Sequence, residues 1–173
     1  MLVRAQVCYS FGFGFIRMSL ARFYDAQASS SVGYETALAE IRRGRKTSHW
    51  IWYIFPQLAG LGRSATARSY ALDDLAQACA YLRDLRLRGR YEEIAGAVSH
   101  QLAQGTRLDE LMGSRIDALK FVSSVTLFRA AAQHLAKEEV TFESLAHSCN
   151  LILQQTAAQG YPACAHTLAA LAD

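Results

Sequence analysis

Apolar residues recur along much of the chain at the spacing of an α-helix. Tyr34, Ala37, Leu38 and Ile41 follow one another at i, i+3, i+4 and i+7, so they share one face of a helix. Gly44 is suited to end that helix, because glycine readily adopts the left-handed conformation found just after a helix. The same spacing predicts helices over residues 74–83, 90–102 and 115–136. Capping residues, glycines and a proline predict further helices over residues 64–70, 108–112, 141–155 and 162–171. Ser64 is expected to cap the first of these, and Asp73 or Asp74 the helix that ends at residue 83.

The longest predicted helix, residues 115–136, follows Ser114, a residue type that caps helices well. Thr141 and Pro162 are placed to begin the last two helices. The apolar face predicted for the longest helix consists of Ile116, Leu119, Val122, Leu127 and Ala131.

The aromatic segment 49–55 is ambiguous, since a short apolar run fits either a buried strand or a buried helix ended by Pro56. No partner strand is evident elsewhere, which favours the helix. The sequence therefore predicts an all-α protein, a compact irregular bundle of about six to eight helices.

One domain accounts for residues 18–173, because no linker, repeat or low-complexity tract interrupts them. Residues 1–17 form an apolar, glycine-rich N-terminal extension. It has neither the cleavage site of a signal peptide nor the length of a membrane span, and it is either an upstream addition or an ordered apolar arm.

The composition is that of a chain that buries a core: 51% of residues are hydrophobic, 19% are charged, and the net charge is +3. Two arginine-rich clusters, residues 42–46 and 83–90, are predicted to be solvated helix ends. A charge this mild argues against nucleic-acid binding, and no membrane association is expected. The four cysteines lack metal-binding spacing and are interpreted as small buried residues of a cytoplasmic protein.

Standard catalytic and cofactor motifs are missing from the sequence, so neither a metal nor a cofactor is predicted. Two polar segments remain as candidate sites. In the first, Lys46 to Gln57, a lysine, a histidine and two tryptophans lie within seven residues. The tryptophans are either core residues or platforms for a ligand, and His49 is either a partner of a buried carbonyl or an acid/base group.

The second candidate segment is Asp117 to Ser124, in the middle of an otherwise apolar helix. Asp117, Lys120 and Ser124 share one helix face, with Ser123 adjacent, and Asp117 and Lys120 are spaced to form an ion pair. This polar face is either a surface pair or the wall of a cleft.

The same two segments carry a family resemblance. Lys46 to Gln57 has the pattern K-x-S-H-W-x-W-x-I-F-P-Q, and together with the Asp117 segment it resembles a bacterial family catalogued as domain of unknown function 1810. The resemblance covers about residues 20–135. It implies a compact all-α fold and no established activity. The chain departs from the family at Asp84-Leu85-Arg86, where a His-Pro step is usual, and at Gly113-Ser114-Arg115, which replaces a Gly-Asp or Pro-Asp turn. The other matching positions are Tyr34, Ala37, Leu38, Glu40, Ile41, Gly44, Gly60, Leu61, Gly62, Ser64, Tyr70, Tyr81, Leu82, Thr126, Leu127 and Phe128.

Two functions follow as hypotheses. In the first, the protein binds a small anionic or aromatic molecule in a cleft between the two segments, with hydrolysis as an extension of this role. In the second, the protein is a helical interaction module without an active site, which predicts a large exposed apolar patch. The residues assigned to the cleft are His49 and Asp117 as acid/base groups, and Lys46, Ser48, Trp50, Trp52, Gln57, Lys120 and Ser123 as ligand-binding groups.

Overall fold

The computed structural model describes residues 20–172, so the predicted extension 1–17 lies outside the described part of the chain. This part contains ten α-helices and no β-strand, which confirms the predicted all-α bundle with a slightly higher helix count. The helices are α1 (described over residues 20–27), α2 (Tyr34–Arg42), α3 (Ile51–Ile54), α4 (Ala65–Ser69), α5 (Leu75–Arg83), α6 (Leu85–Ala103), α7 (Leu108–Leu111), α8 (Arg115–Ala136), α9 (Glu143–Ala158) and α10 (Ala165–Ala170), with a 3₁₀ turn at Val140–Phe142.

Helix α8 lies at the centre of the bundle. It packs against α9 and α5 along its length and against α3, α7 and α10 at its sides, while α2 packs on α6. All residues from Phe121 to Phe128 are buried, as expected for a helix surrounded on every side. Phe121 meets Phe55 with 4.8 Å between ring centroids, and Phe128 meets Tyr91 at 4.3 Å.

Side-chain caps fix where several helices begin. The Ser114 hydroxyl accepts a hydrogen bond from the Asp117 N–H, and Ser64 and Asp74 cap α4 and α5 in the same way. The caps at Ser64 and Ser114 confirm the sequence prediction, and Asp74 is the cap of the two candidates Asp73 and Asp74. Asp84 ends α5 and also caps α6 by accepting from the N–H groups of residues 86 and 87, so α6 begins five residues before the predicted start.

The early start of α6 corrects the interpretation of the second arginine cluster. Arg86, Arg88 and Arg90 lie in its first turns, where the helix dipole does not favour cations. Their guanidinium groups instead lie over the rings of Tyr24, Phe142 and Tyr34. Arg88 and Arg90 are therefore partly buried against aromatic rings, whereas Arg86 stays exposed and Arg83, in the last turn of α5, is an exposed helix end as predicted.

Three further predictions were wrong in detail. Ile116 and Leu119, placed on the apolar face of α8, are 67% and 48% exposed, because the first turns of α8 bury the face that carries Ala118 instead. Pro162 lies in the loop before α10, whose first residue is Ala165. Thr141 lies inside the 3₁₀ turn instead of capping α9.

The segment 49–55 forms the short helix α3 and not a strand. No helix among residues 20–172 combines the length and apolar character that crossing a bilayer requires.

Candidate functional site

The two candidate segments meet at Asp117. The Lys46 ammonium lies 2.6 Å from one carboxylate oxygen of Asp117, and the Lys120 ammonium lies 2.8 Å from the other. The chain has three lysines against fifteen arginines, so two of its three lysines converge on one carboxylate. Lys46, Asp117 and Lys120 are called the charged triad below.

Each lysine of the charged triad also faces a tryptophan ring. The Lys46 ammonium is 5.2 Å from the ring centroid of Trp50, and the Lys120 ammonium is 4.5 Å from that of Trp52. A cation over an indole face is attracted by the negative potential of the ring. The triad is therefore held between one tryptophan on each side.

Exposure differs sharply across this arrangement. Lys46 is 8% exposed and Trp50 is fully buried, whereas the Lys120 side chain is 22% exposed and Trp52 is partly buried. Ligands from solvent can therefore reach the cluster on the side of Lys120 and Trp52.

The backbone N–H and the backbone carbonyl of Lys46 both contact residues at or just after the end of α7. Its N–H donates to the Leu111 carbonyl at 2.7 Å, and its carbonyl lies directly against Gly113. Gly113 has φ +74°, and a β-carbon there would lie 2.7 Å from the Lys46 carbonyl oxygen. The turn between α7 and α8 therefore requires glycine both for its conformation and for the approach of the Lys46 backbone.

Glu40, on the buried face of α2, holds the residues that follow Lys46. Its carboxylate accepts hydrogen bonds from the Thr47 N–H at 2.8 Å, the Thr47 hydroxyl at 2.7 Å and the Trp50 indole N–H at 2.7 Å. The N–H and hydroxyl of Ser48 donate to it as well. Five donors from one short segment therefore satisfy a carboxylate that is 5% exposed.

These contacts determine the charge of both carboxylates. Burial acts to raise the pKa of Glu40, but the hydrogen bonds from Ser48 and Thr47 outweigh burial and lower the pKa to about 2. Burial likewise opposes ionisation of Asp117, and hydrogen bonds and charge attraction from Lys120 and Lys46 hold its pKa below the ordinary range. Both groups are ionised at neutral pH.

Sequence reasoning did not assign a role to Glu40. The available signal was a glutamate three residues after Ala37 on the apolar face of a helix, followed by a run of donors at Thr47 and Ser48. A carboxylate on a buried face must find hydrogen-bond donors. The sequence supplied these donors, but it did not show that the chain turns back to bring them to Glu40.

The hydrogen bonds of the other residues assigned to the cleft lead to groups outside the charged triad. His49 is exposed, and its backbone carbonyl accepts a hydrogen bond from the Tyr53 hydroxyl at 3.4 Å. Gln57 is partly buried, with its backbone carbonyl bound to the N–H of Leu72. The Ser123 hydroxyl donates to the Leu119 carbonyl within α8 at 3.0 Å.

Two assignments need correction. Trp50 was expected to be able to stack on a ligand, but its ring has no exposed surface and its N–H is bound to Glu40. Ser48 was expected to contact the ligand, and it instead directs both of its donors to Glu40. Both residues support the segment that carries Lys46.

Cys8 lies outside the described residues, and the other three cysteines follow the sequence interpretation except at one position. Cys79 and Cys149 are free and buried, but Cys164 is only partly buried, at the residue before α10. Burial opposes ionisation of the Cys164 thiol, but polar contacts, the largest with Ser123, lower its pKa. Within residues 20–172, no group of three or more histidine, cysteine or acidic side chains is arranged to hold a metal ion.

An open groove of about 580 Å³ adjoins the site. Its walls include the two residues before Lys46 and the turn between α7 and α8, but none of the three residues of the charged triad. It is lined by Gly44, Arg45, Thr106, Asp109, Glu110, Gly113, Ser114 and Arg115.

Comparison with known proteins identifies the family. The sequence model of a family described as "Protein of unknown function (DUF1810)" matches residues 17–151. The chain belongs to the DUF1810 family. The match contains Glu40, the charged triad and both tryptophans, and it confirms the resemblance expected from the sequence.

A solved structure supports the DUF1810 assignment. The fold is similar to the crystal structure of the conserved hypothetical protein Rv1873 from Mycobacterium tuberculosis, with a TM-score of 0.74 and 34% sequence identity. The similarity covers 91% of this chain and 99% of the other. No curated protein gives a significant match.

Proposed function

We propose that this DUF1810 protein binds a small anion at the charged triad, on the side formed by Lys120 and Trp52. The observation that carries the proposal is the sharing of the Asp117 carboxylate by two ammonium groups, at 2.6 and 2.8 Å. Within the charged triad, two positive charges against one negative charge leave one positive charge in surplus, and the nearby Glu40 carboxylate is bound by five donors of its own. Because the triad is largely shielded from water, this surplus acts on a nearby anion more strongly than an exposed lysine does.

Lys120 is the group that contacts the ligand in this proposal. An ammonium group has three N–H donors, and Asp117 takes one of them. The partly exposed Trp52 ring lies against the same ammonium and limits its contact with water. Lys120 therefore has donors to offer and an apolar surface beside it, on which the non-polar part of an organic anion can rest.

Hydrolysis has weaker support than binding. Asp117 is ionised but, with its lowered pKa, is a poor acceptor of a proton from substrate. His49, the other acid/base candidate, is exposed. The proposal is therefore one of binding, and hydrolysis at His49 and Asp117 stays a hypothesis.

One observation favours the interaction module as an alternative. Ile116 and Leu119 are exposed large apolar residues, one turn apart at the start of α8. Scattered apolar residues are normal on protein surfaces, and a binding face requires a larger contiguous patch. This alternative predicts no affinity for small anions.

Titration with inorganic phosphate by calorimetry, at constant ionic strength, tests the proposal. We expect a dissociation constant on the order of 1 mM, typical of a small ligand held by a few charged contacts. Lys120→Met removes the ligand contact but leaves Asp117 paired with Lys46, so that the fold is retained. It is expected to weaken binding at least about tenfold. Lys137→Met, at the exposed last lysine, is the control and should bind as the wild type does.

Equal phosphate affinity in the wild type and Lys120→Met would contradict the proposal. Failure of both phosphate and acetate to bind the wild type would contradict the proposal as well. A negative result with both anions favours the interaction module, for which pull-down with Ile116→Glu as the control becomes the next experiment.

A further inference from the structure

The surplus positive charge of the site depends on Lys46, although Lys46 is buried. If Lys46 left Asp117, the carboxylate would pair with Lys120 alone, and the two charges would cancel. Lys120 would then be held by Asp117 and less available to an anion. The contacts that keep the Lys46 ammonium 2.6 Å from the Asp117 carboxylate therefore determine how tightly Lys120 binds an anion.

Glu40 is the group placed to do this. Its five hydrogen bonds all come from Thr47, Ser48 and Trp50, the residues that follow Lys46. The N–H of Lys46 is bound separately to Leu111. The chain is thus fixed on both sides of Lys46, which sets the position from which its side chain extends to Asp117.

A second link runs through the Trp50 ring. The indole N–H donates to Glu40 at 2.7 Å, and the Lys46 ammonium lies over the same ring. A hydrogen bond to a carboxylate polarises the indole and makes its face more negative, which strengthens its attraction for the ammonium. The negative charge of Glu40 thereby stabilises the Lys46 ammonium through the indole ring, without direct contact between the two side chains.

We propose that Glu40 is a positioning residue of the anion site: from α2, its buried carboxylate holds the Lys46 ammonium on Asp117 and so keeps Lys120 available to the ligand. This inference rests on the proposed anion binding. It assigns a role in binding to a carboxylate that an anionic ligand would not touch, since like charges repel.

Glu40→Gln tests the inference with little change of shape. The amide oxygen of glutamine can accept the three N–H donors, and its NH₂ group can donate to the hydroxyls of Thr47 and Ser48, which rotate to accept. The substitution therefore removes the charge and keeps the hydrogen bonds. We expect it to weaken phosphate binding at least about fivefold in calorimetry.

The matched control is Glu93→Gln. Glu93 accepts hydrogen bonds from Tyr34 and Arg42 of α2, so it too is a carboxylate bound to that helix, but it does not bind the Lys46 segment. Phosphate affinity is expected to be unchanged in this variant. A Glu40→Gln affinity within twofold of wild type would overturn the inference while leaving the proposed function intact.

A measurement on the wild-type protein distinguishes a positioning role of Glu40 from a role in folding alone. The chain has two tryptophans, so ¹H–¹⁵N spectra contain two indole signals, which Trp52→Phe assigns. Phosphate is expected to shift the buried Trp50 signal as well as the Trp52 signal, because ligand, Lys120, Asp117, Lys46 and Trp50 are linked. A Trp50 signal that does not move at saturating phosphate would overturn the inference. This measurement uses the wild type, so it applies even if Glu40→Gln does not fold. If the wild type binds no anion, the proposed function is wrong and the inference falls with it.

Discussion

Replacing Gly113 with alanine is expected to destabilise the protein by about 2–4 kcal/mol, about twice the effect of the same change at Gly105. Both glycines have positive φ, +74° and +89°, so alanine meets a conformational penalty of roughly 1–2 kcal/mol at either position. At Gly105, nothing lies within 4 Å of the added β-carbon. At Gly113, the β-carbon would lie 2.7 Å from the Lys46 carbonyl oxygen, a backbone atom that cannot turn aside.

Urea unfolding of the two variants measures this difference directly. The conformational penalty for positive φ applies to both variants. The additional loss of unfolding free energy in Gly113→Ala therefore measures the effect of the close approach of the Lys46 backbone. Gly113→Ala should also bind phosphate more weakly, because the segment that carries Lys46 must shift. Equal free energies of unfolding for Gly113→Ala and Gly105→Ala would show that this approach does not constrain the site.

Loss of the Glu40 charge is expected to cost up to about 3 kcal/mol of stability at neutral pH, the free energy that corresponds to its lowered pKa. The ordinary pKa of this side chain is 4.5, and the folded protein lowers it to about 2. The folded state therefore favours the ionised form. Its contribution is complete above about pH 4.5 and is lost as the pH falls toward about 2. Asp117 acts in the same direction, since its pKa is lowered as well.

Glu40→Gln resembles the wild type with Glu40 protonated. The variant is expected to be less stable than wild type at pH 7 and to approach wild-type stability near pH 2.5. Urea midpoints measured at pH 7, 4.5, 3.5 and 2.5 give this comparison, with Glu93→Gln as the control for removal of a more exposed carboxylate. A difference between wild type and Glu40→Gln that stays constant from pH 7 to 2.5 would contradict the assigned role of the charge.

The helical fold follows from local signals that are strong in this chain. The spacing of Tyr34, Ala37, Leu38 and Ile41 predicts α2, and the caps at Ser64, Asp74 and Ser114 mark three helix starts. Where prediction failed, a non-local contact decided the outcome. The first turns of α6 contain three arginines, Arg86, Arg88 and Arg90, which conceal the apolar spacing until Tyr91, and packing on aromatic rings stabilises them there.

The site was predictable only in part, for a related reason. The spacing of Asp117 and Lys120 on one helix predicts their ion pair, and the structure confirms it at 2.8 Å. The pairing of Lys46 with Asp117 joins residues 71 positions apart, and no local pattern encodes such a contact. The role of Glu40 depends on a chain reversal between α2 and α3, so neither its five donors nor the burial of Trp50 could be inferred from spacing.

The central claim is that an anion binds at Lys120 and alters the charged triad. With three lysines in the chain, ¹³C labelling of the lysine side chains gives three ε-carbon signals, which Lys120→Met and Lys137→Met assign. Titration with phosphate is expected to shift the Lys120 signal most and the Lys46 signal in parallel, while the Lys137 signal stays fixed. Shifts of Lys137 comparable to those of Lys120, or no shift of Lys120 at saturating phosphate, would contradict the account.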